Sequence, residues 1–309
     1  MRHSISTASL LAAALLLAAC KPASFTAPQD AAPKADAAPA DTATAQASGP
    51  VADDNLNAVL WVQASAEYRA SAETVYRAAA DHLDAALKEK NWDALVPAER
   101  DNAGATADLK PAVIMDVDET VLDNSPYQAR LIRDQAEYSD PSWDLWVAEK
   151  KAKAVPGVVD FARVAAEKGV TILYLSNRAV HLKDATLANL KAVGMPVASD
   201  EVFLGLGTVV PGCEQNGSEK NCRRRLAGQK YRVLMQFGDQ LGDFVEVTAN
   251  TPDGRAGLLE EYGDWFGERW WMLPNPTYGG WEPALFNNDW TQSKAVRHGA
   301  KWSALEFVD

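Results

Sequence analysis

The stretch Pro111-Ala112-Val113-Ile114-Met115-Asp116-Val117-Asp118-Glu119-Thr120 decides the fold. An apolar run of strand length ends on two carboxylates two residues apart, with Asp123 and Asn124 close behind. A short continuous apolar run is the signature of a parallel strand buried on both faces. The carboxyl ends of such strands are where open α/β sheets bind ligands. Asp116 and Asp118 repel one another at that edge, so a cation or a shared proton must offset their charge. A second acidic pair, Asp239 and Asp243, follows another apolar run, Tyr231 to Phe237. Four acids brought to one sheet edge predict a magnesium site of the kind suited to phosphoryl transfer.

Outward from this strand the pattern alternates. Val170 to Leu175 predicts a strand ending on Ser176-Asn177-Arg178, Arg232 to Phe237 a third ending on Gly238-Asp239, and Trp270 to Leu273 a fourth. Helices are predicted from Pro156-Gly157 through Lys168, from Val180 to Val193, and from Glu219 to about Gly228. Strand and helix in alternation imply right-handed crossovers and a Rossmann-like α/β fold, a parallel sheet with helices on both faces. Upstream, Ala72, Val75, Tyr76, Ala79, Leu83, Ala86 and Leu87 form one helical stripe. A shorter helix around Leu56 to Val62 precedes it, with a break near Ser65. Residues 124–155 form a small cap insertion, and 277–309, rich in Trp, Gly and Asn, show little periodicity and are expected to wrap over the domain.

The chain carries 42 Asp and Glu against 30 Lys and Arg, a formal charge of -12, with no basic stripe to serve as a nucleic-acid footprint. Arg223-Arg224-Arg225 reads as a solvated helix face with one or two members turned to a ligand. At the amino terminus, Arg2 and His3 precede the apolar run Leu10 to Ala19, too short for a membrane span and typical of a signal peptide over 1–19. Leu17-Ala18-Ala19-Cys20 resembles the bacterial lipobox, which implies a lipidated Cys20 and, with Lys21 next, the outer membrane; an ordinary signal peptide cut nearby is the alternative. The Ala-, Pro- and Asp-rich segment 20–53 cannot bury a core and reads as a tether to a domain over 54–309. Cys213 and Cys222 flank a Gly/Asn/Ser loop that an exported chain can close with a disulfide, a pairing the sequence leaves open. The four histidines show no metalloprotease-type pairing, which disfavours zinc hydrolysis.

These motifs, in this order, resemble the haloacid dehalogenase (HAD) superfamily of phosphohydrolases and, within it, the class C acid phosphatases. Asp116-Val117-Asp118-Glu119-Thr120-Val121-Leu122, with Asn124 and Tyr127, is similar to the class's first motif, Val117 standing where Ile or Leu is usual. Gly238-Asp239-Gln240-Leu241-Gly242-Asp243-Phe244 is similar to the second, departing at Gln240, where Asn or Thr is usual. Ser176-Asn177-Arg178 resembles the phosphoryl-holding motif, Lys220 with Arg223 and Arg224 the basic motif, and Pro274 to Trp281 the closing segment. The similarity covers about residues 56 to 285.

The resemblance implies Asp116 as nucleophile forming an aspartyl-phosphate, and Asp118 as acid and then base. It implies a Mg2+ ion held by Asp116, the Asp118 carbonyl, Asp239 and Asp243, with Gly238 permitting a tight turn. Ser176 and the amides of Asn177 and Arg178, at a helix N-terminus, would hold phosphoryl oxygens, and Lys220 would neutralise charge, with Lys191 and Lys230 as nearby alternatives. Glu119 reads as structural. Trp143 and Tyr278 match positions that stack a nucleobase in the class, so a nucleoside 5'-monophosphate is the favoured substrate, with other monoesters tolerated. The expected partners are a small-molecule phosphomonoester and, through the lipid, a membrane; a homodimer is left open. A dehalogenase is disfavoured by the presence of Asp118, while a phosphotransferase or a non-catalytic envelope ligand-binding lipoprotein remains as a rival.

Overall fold

The computed structural model describes residues 50–100 and 106–308, so the signal peptide over 1–19, the lipidated Cys20 and the tether up to residue 49 lie outside the described residues. The chain enters through α1 (Leu56–Ala64) and α2 (Ala66–Lys88). They part at Ser65, whose hydroxyl accepts from the Tyr68 amide at 3.0 Å and caps α2, a bond that contributes about 1 kcal/mol. Helix α2 buries Tyr68, Ala72, Tyr76, Ala79, Leu83 and Ala86 in steps of three and four, while Val75 and Leu87 sit partly buried at the margin of that stripe. The small alanines let its backbone lie close to its neighbours.

The first strand, β1 (Lys110–Met115), leads into the two-residue β2 (Leu122–Asp123) and the cap helices α3 (Ser125–Asp134) and α4 (Asp140–Glu149). Strand β3 (Lys153–Ala154) pairs antiparallel with β2 and closes the cap at its base. The chain then runs through α5 (Val158–Glu167), β4 (Thr171–Ala179), α6 (Lys183–Ala192), β5 (Phe203–Leu206), α7 (Asn221–Lys230), β6 (Tyr231–Gly238), α8 (Pro252–Tyr262), β7 (Trp270–Met272) and α9 (Lys294–Ser303). The main sheet has the order β5-β4-β1-β6-β7 and is parallel throughout, as the alternation predicts. Its central strand is β1, and burying Ile114 or Met115 there stabilises the fold by about 1.5–3 kcal/mol each. Helices α2 and α5 meet over β6, where Tyr76 and Phe161 pack on Phe237 with ring centroids 5.5 and 4.6 Å away.

Several elements escape the sequence pattern, among them the cap's α3, α4, β2 and β3, and outside the cap β5, α8 and α9. Strand β5 is four residues long and carries Gly205, whose Cβ would lie 2.7 Å from the Arg178 carbonyl, so it shows neither length nor alternation. Helix α8 buries none of its residues. Helix α9 corrects the reading of 277–309 as aperiodic: it is capped by Ser293 and anchored by the buried Arg297, which pairs with Glu137, while Val296 and Trp302 are exposed. A helix held by a guanidinium leaves no apolar stripe to read. Cys213 and Cys222 are joined, and closing so short a loop stabilises the fold by about 2–3 kcal/mol.

Candidate active site

Strands β1 and β6 deliver the acids together. Asp116 follows β1 directly, and its amide donates to the Phe237 carbonyl at 2.9 Å, so the ends of the two strands are in register. Asp116, Asp239 and Asp243 each present an oxygen within 4.8 Å of the others, and all three are buried. Lys220, buried at the N-cap of α7, donates to Asp116 and, at 2.7 Å, to Asp243 Oδ1. The other Asp243 oxygen accepts the amides of Asp239 and Gln240 at 3.0 and 2.8 Å, which pins the turn after β6. Gly238 serves a close approach here rather than a left-handed turn: a Cβ on it would lie 2.3 Å from that of Asp243.

The cluster holds more carboxylates than ammonium groups, an imbalance that protons or a cation can offset. Burial, with the charge of Asp243 adding, pushes the Asp239 carboxyl up to about 7. Burial raises Asp116 as well, against the pull of Lys220. Burial opposes the charge on Lys220, but Asp116 and Asp243 more than offset it and hold the ammonium group above its ordinary value. Three buried carboxylates facing one ammonium group are a donor set of hard oxygens with surplus negative charge, which fits a hard divalent ion. A carboxyl whose folded pKa is raised favours the fold while protonated, and that contribution is lost as pH rises from its ordinary range through the raised value. The metal-free protein should therefore lose melting temperature between about pH 4 and pH 7, and Mg2+ should raise the melting temperature more at pH 7 than at pH 5. Thermal melts with EDTA or Mg2+ at the two pH values check this.

Asp118 lies outside this triad. Its Oδ1 accepts from Arg178 Nε and Asn124 Nδ2, both at 2.9 Å, while Oδ2 takes a longer 3.3 Å bond from Ser176. Ser176-Asn177-Arg178 does not open a helix, contrary to the sequence reading. Strand β4 runs on to Ala179, and its pairing with β5 shifts register between Leu175 and Ala179. Such an irregularity re-aims side chains, and here it turns Ser176 and Arg178 toward Asp118. The Arg178 amide donates to its neighbour Ser176 Oγ at 3.0 Å, and Asn177 is exposed with its Oδ1 held by Arg223. The working part of Arg178 is thus its buried guanidinium.

Arg223 and Arg224 are buried rather than a solvated face. Arg223 donates to the Ser176 carbonyl at 2.6 Å, and Arg224 grips Glu99 and the carbonyls of Gly242 and Asp243. The pair buttresses the loops on either side of Lys220. Their partners are backbone carbonyls, the Asn177 side chain and a distant Glu99, which nothing in the local sequence announces.

Glu119 is structural in the sense expected and sits at φ 58, a strained setting for a non-glycine residue. Its buried carboxylate accepts from the Asn124 amide and the Tyr278 hydroxyl. Trp143, half-buried in α4, packs edge-on to Tyr127 at 5.1 Å and lies under the Arg178 guanidinium at 5.5 Å. Trp143 is thus one side chain, Arg178, away from Asp118, and Tyr278 meets Glu119, the residue after Asp118. Asn124 joins the cap to the site, its Oδ1 accepting from Trp146 Nε1 at 2.7 Å and its Nδ2 donating to Asp118. Asn275 donates to Asp239 at 2.8 Å. Asn124 and Asn275 stand inside recognisable motifs, but their roles appear only once the elements meet.

A parallel sheet whose central strand ends in two carboxylates two residues apart, with a further acidic pair one strand away and a lysine between them, is the arrangement of a HAD-type phosphohydrolase. The sequence matches the HAD superfamily, subfamily IIIB (acid phosphatase), over residues 16–281, and the chain belongs to this family of phosphomonoester hydrolases. The class C acid phosphatase from Bacillus anthracis superposes with a TM-score of 0.69 at 34% identity, covering 82% of this chain and 98% of that one. The class C acid phosphatase from Bacillus anthracis with tungstate bound gives a TM-score of 0.70 at 35% identity, with the same coverage. The stem 31 kDa glycoprotein of Glycine max is 28% identical over 166 residues, 53% of this chain and 58% of its own length. Vegetative storage protein 1 of Arabidopsis thaliana is 26% identical over 168 residues, 53% of this chain and 54% of its own length. The chain thus spans a little over half the length of these plant relatives.

Proposed function

We propose that the protein is a Mg2+-dependent acid phosphatase that hydrolyses phosphomonoesters, nucleoside 5'-monophosphates foremost, through an aspartyl-phosphate on Asp116. The observation that carries this reading is the buried triad Asp116, Asp239 and Asp243 with Lys220 among them, set beside an Asp118 held by Arg178. Mg2+, when bound by the triad and the Asp118 carbonyl, supplies the positive charge that lets an anionic nucleophile meet an anionic ester. An Asp116 oxygen forms a bond to phosphorus as the bond to the leaving oxygen breaks. Asp118 Oδ1 is occupied by Arg178 and Asn124, so Oδ2 is the oxygen that gives its proton to the leaving group and later takes one from water. The attack of that water on the aspartyl-phosphate returns Asp116 and releases inorganic phosphate. Ser176 Oγ and Lys220 hold the phosphoryl oxygens, as does the Asn177 amide.

Trp143 and Tyr278 supply flat surfaces for a nucleobase, Trp143 fixed by Tyr127 and Arg178, Tyr278 by Glu119. The amino-terminal sequence supports export and lipid attachment at Cys20 to the outer membrane, which suits an enzyme that strips phosphate from nucleotides in the envelope. Base stacking is worth about 1–3 kcal/mol. Trp143→Ala should therefore lower kcat/KM for a nucleoside 5'-monophosphate about 10- to 100-fold while leaving glycerol phosphate, which has no base, little changed. Equal loss on both substrates, or none on either, would remove the nucleotide assignment.

A further inference from the structure

We infer that Gln240 is a positioning residue that couples the carboxylate of Asp239 to the segment carrying Tyr278, so that metal affinity and recognition of the base are set together. The inference rests on the function proposed above and deepens it. Gln240 Nε2 donates to Asp239 Oδ2 at 2.7 Å and to the Tyr278 carbonyl at 3.1 Å, and its Oε1 accepts the Gly280 amide at 3.0 Å. One amide thus spans the gap between an acid of the triad and the backbone on both sides of Gly279.

The chain is shaped to admit that amide. A Cβ at Gly279 would lie 2.2 Å from Gln240 Oε1, so only a bare backbone lets the side chain lie flat across the segment. Asn275, from the same segment, donates to the same Asp239 oxygen at 2.8 Å. Two amides converging on Oδ2 fix the rotation of the carboxylate, and its other oxygen, Oδ1, is met by Thr120 at 3.4 Å. Tyr278 is held at both backbone and ring: its main-chain carbonyl accepts from Gln240 and its hydroxyl donates to Glu119. An asparagine at 240 is shorter by one methylene, about 1.5 Å, and could keep the bond to Asp239 but not those to Tyr278 and Gly280. The glutamine is therefore the side chain that makes the two regions one unit. Linkage of this kind is reciprocal: whatever orders the segment favours the metal, and the metal favours the ordered segment.

Two substitutions separate the halves of the claim. Mg2+ affinity is measured by calorimetry without substrate, and KM at saturating Mg2+ is compared for a nucleoside 5'-monophosphate and glycerol phosphate. Gln240→Leu, which keeps the bulk and loses every bond, should weaken Mg2+ binding about 10- to 100-fold, as loss of a partner to a liganding group does. It should also raise KM for the nucleotide more than for glycerol phosphate. Gln240→Asn, which keeps only the bond to Asp239, should bind Mg2+ more tightly than Gln240→Leu, yet less tightly than the parent, and keep the raised nucleotide KM. Unchanged Mg2+ affinity in Gln240→Leu, or an equal KM shift for both substrates, would overturn the coupling while the parent enzyme stays intact. A parent protein that binds no Mg2+ or cleaves no nucleotide would instead overturn the underlying function, and the coupling with it.

Discussion

Asp116→Asn should abolish turnover, lowering kcat by at least about 10^4-fold, while the protein stays folded. The substitution removes the anionic oxygen that would attack phosphorus but keeps the shape and an acceptor for Lys220. It also relieves a cluster in which burial already opposes the charge on Asp116 and Asp239. The metal-free variant should therefore melt at the same temperature as the parent or higher. Asp239 and Asp243 remain to bind Mg2+, more weakly than the full triad. Steady-state kinetics and thermal melts on the same preparation check both halves. Retained turnover would mean that some other group takes the phosphoryl.

The second large effect is expected at Lys220. Lys220→Met removes the ammonium group shared by Asp116 and Asp243 and leaves two buried carboxylates without their counter-charge. Breaking a buried pair from one side costs about 3–5 kcal/mol, so the metal-free variant should melt well below the parent near neutral pH. Mg2+ should recover much of that loss, because the ion supplies charge to the same oxygens. Activity should not recover with it: losing a charge aimed at the transferring group costs about 10^2- to 10^3-fold in kcat. Lys220→Arg should not rescue, since a planar fork does not fit where a point charge sits between two carboxylates. Melts in EDTA and in Mg2+, beside kcat at saturating Mg2+, separate the two roles. A variant equally stable without metal would show that Lys220 does not balance the triad.

Much of this site is legible in the sequence because strand ends are legible. Ala112 to Met115 is apolar and β-branched enough to announce a buried strand, and Asp116 must then stand at its carboxyl end. The same holds for Asp239 after β6, and a parallel sheet places both on one edge. Helix α2 is legible through its alanine-rich stripe, and the break before it near Ser65 is legible too, though not the cap that Ser65 makes. What is not legible depends on partners far along the chain. Arg224 is buried only because Glu99, 125 residues away, and two loop carbonyls receive it, so a run of three arginines reads as solvent-facing. Ser176 to Arg178 stays extended rather than opening a helix because β5 pairs beside it, and β5 itself is too short to see. Helix α9 hides because it docks through Arg297. The bonds of Gln240 belong to the same class: its identity stands out in the motif, but the backbone it grips lies some 40 residues on.

The most direct measurement is phosphate release from a nucleoside 5'-monophosphate by protein stripped with EDTA and then titrated with Mg2+. No release without the ion, and saturable recovery as Asp116, Asp239 and Asp243 fill, is the predicted result. Hydrolysis that runs at full rate without a divalent ion, or no hydrolysis of any phosphomonoester once the ion is restored, would contradict it.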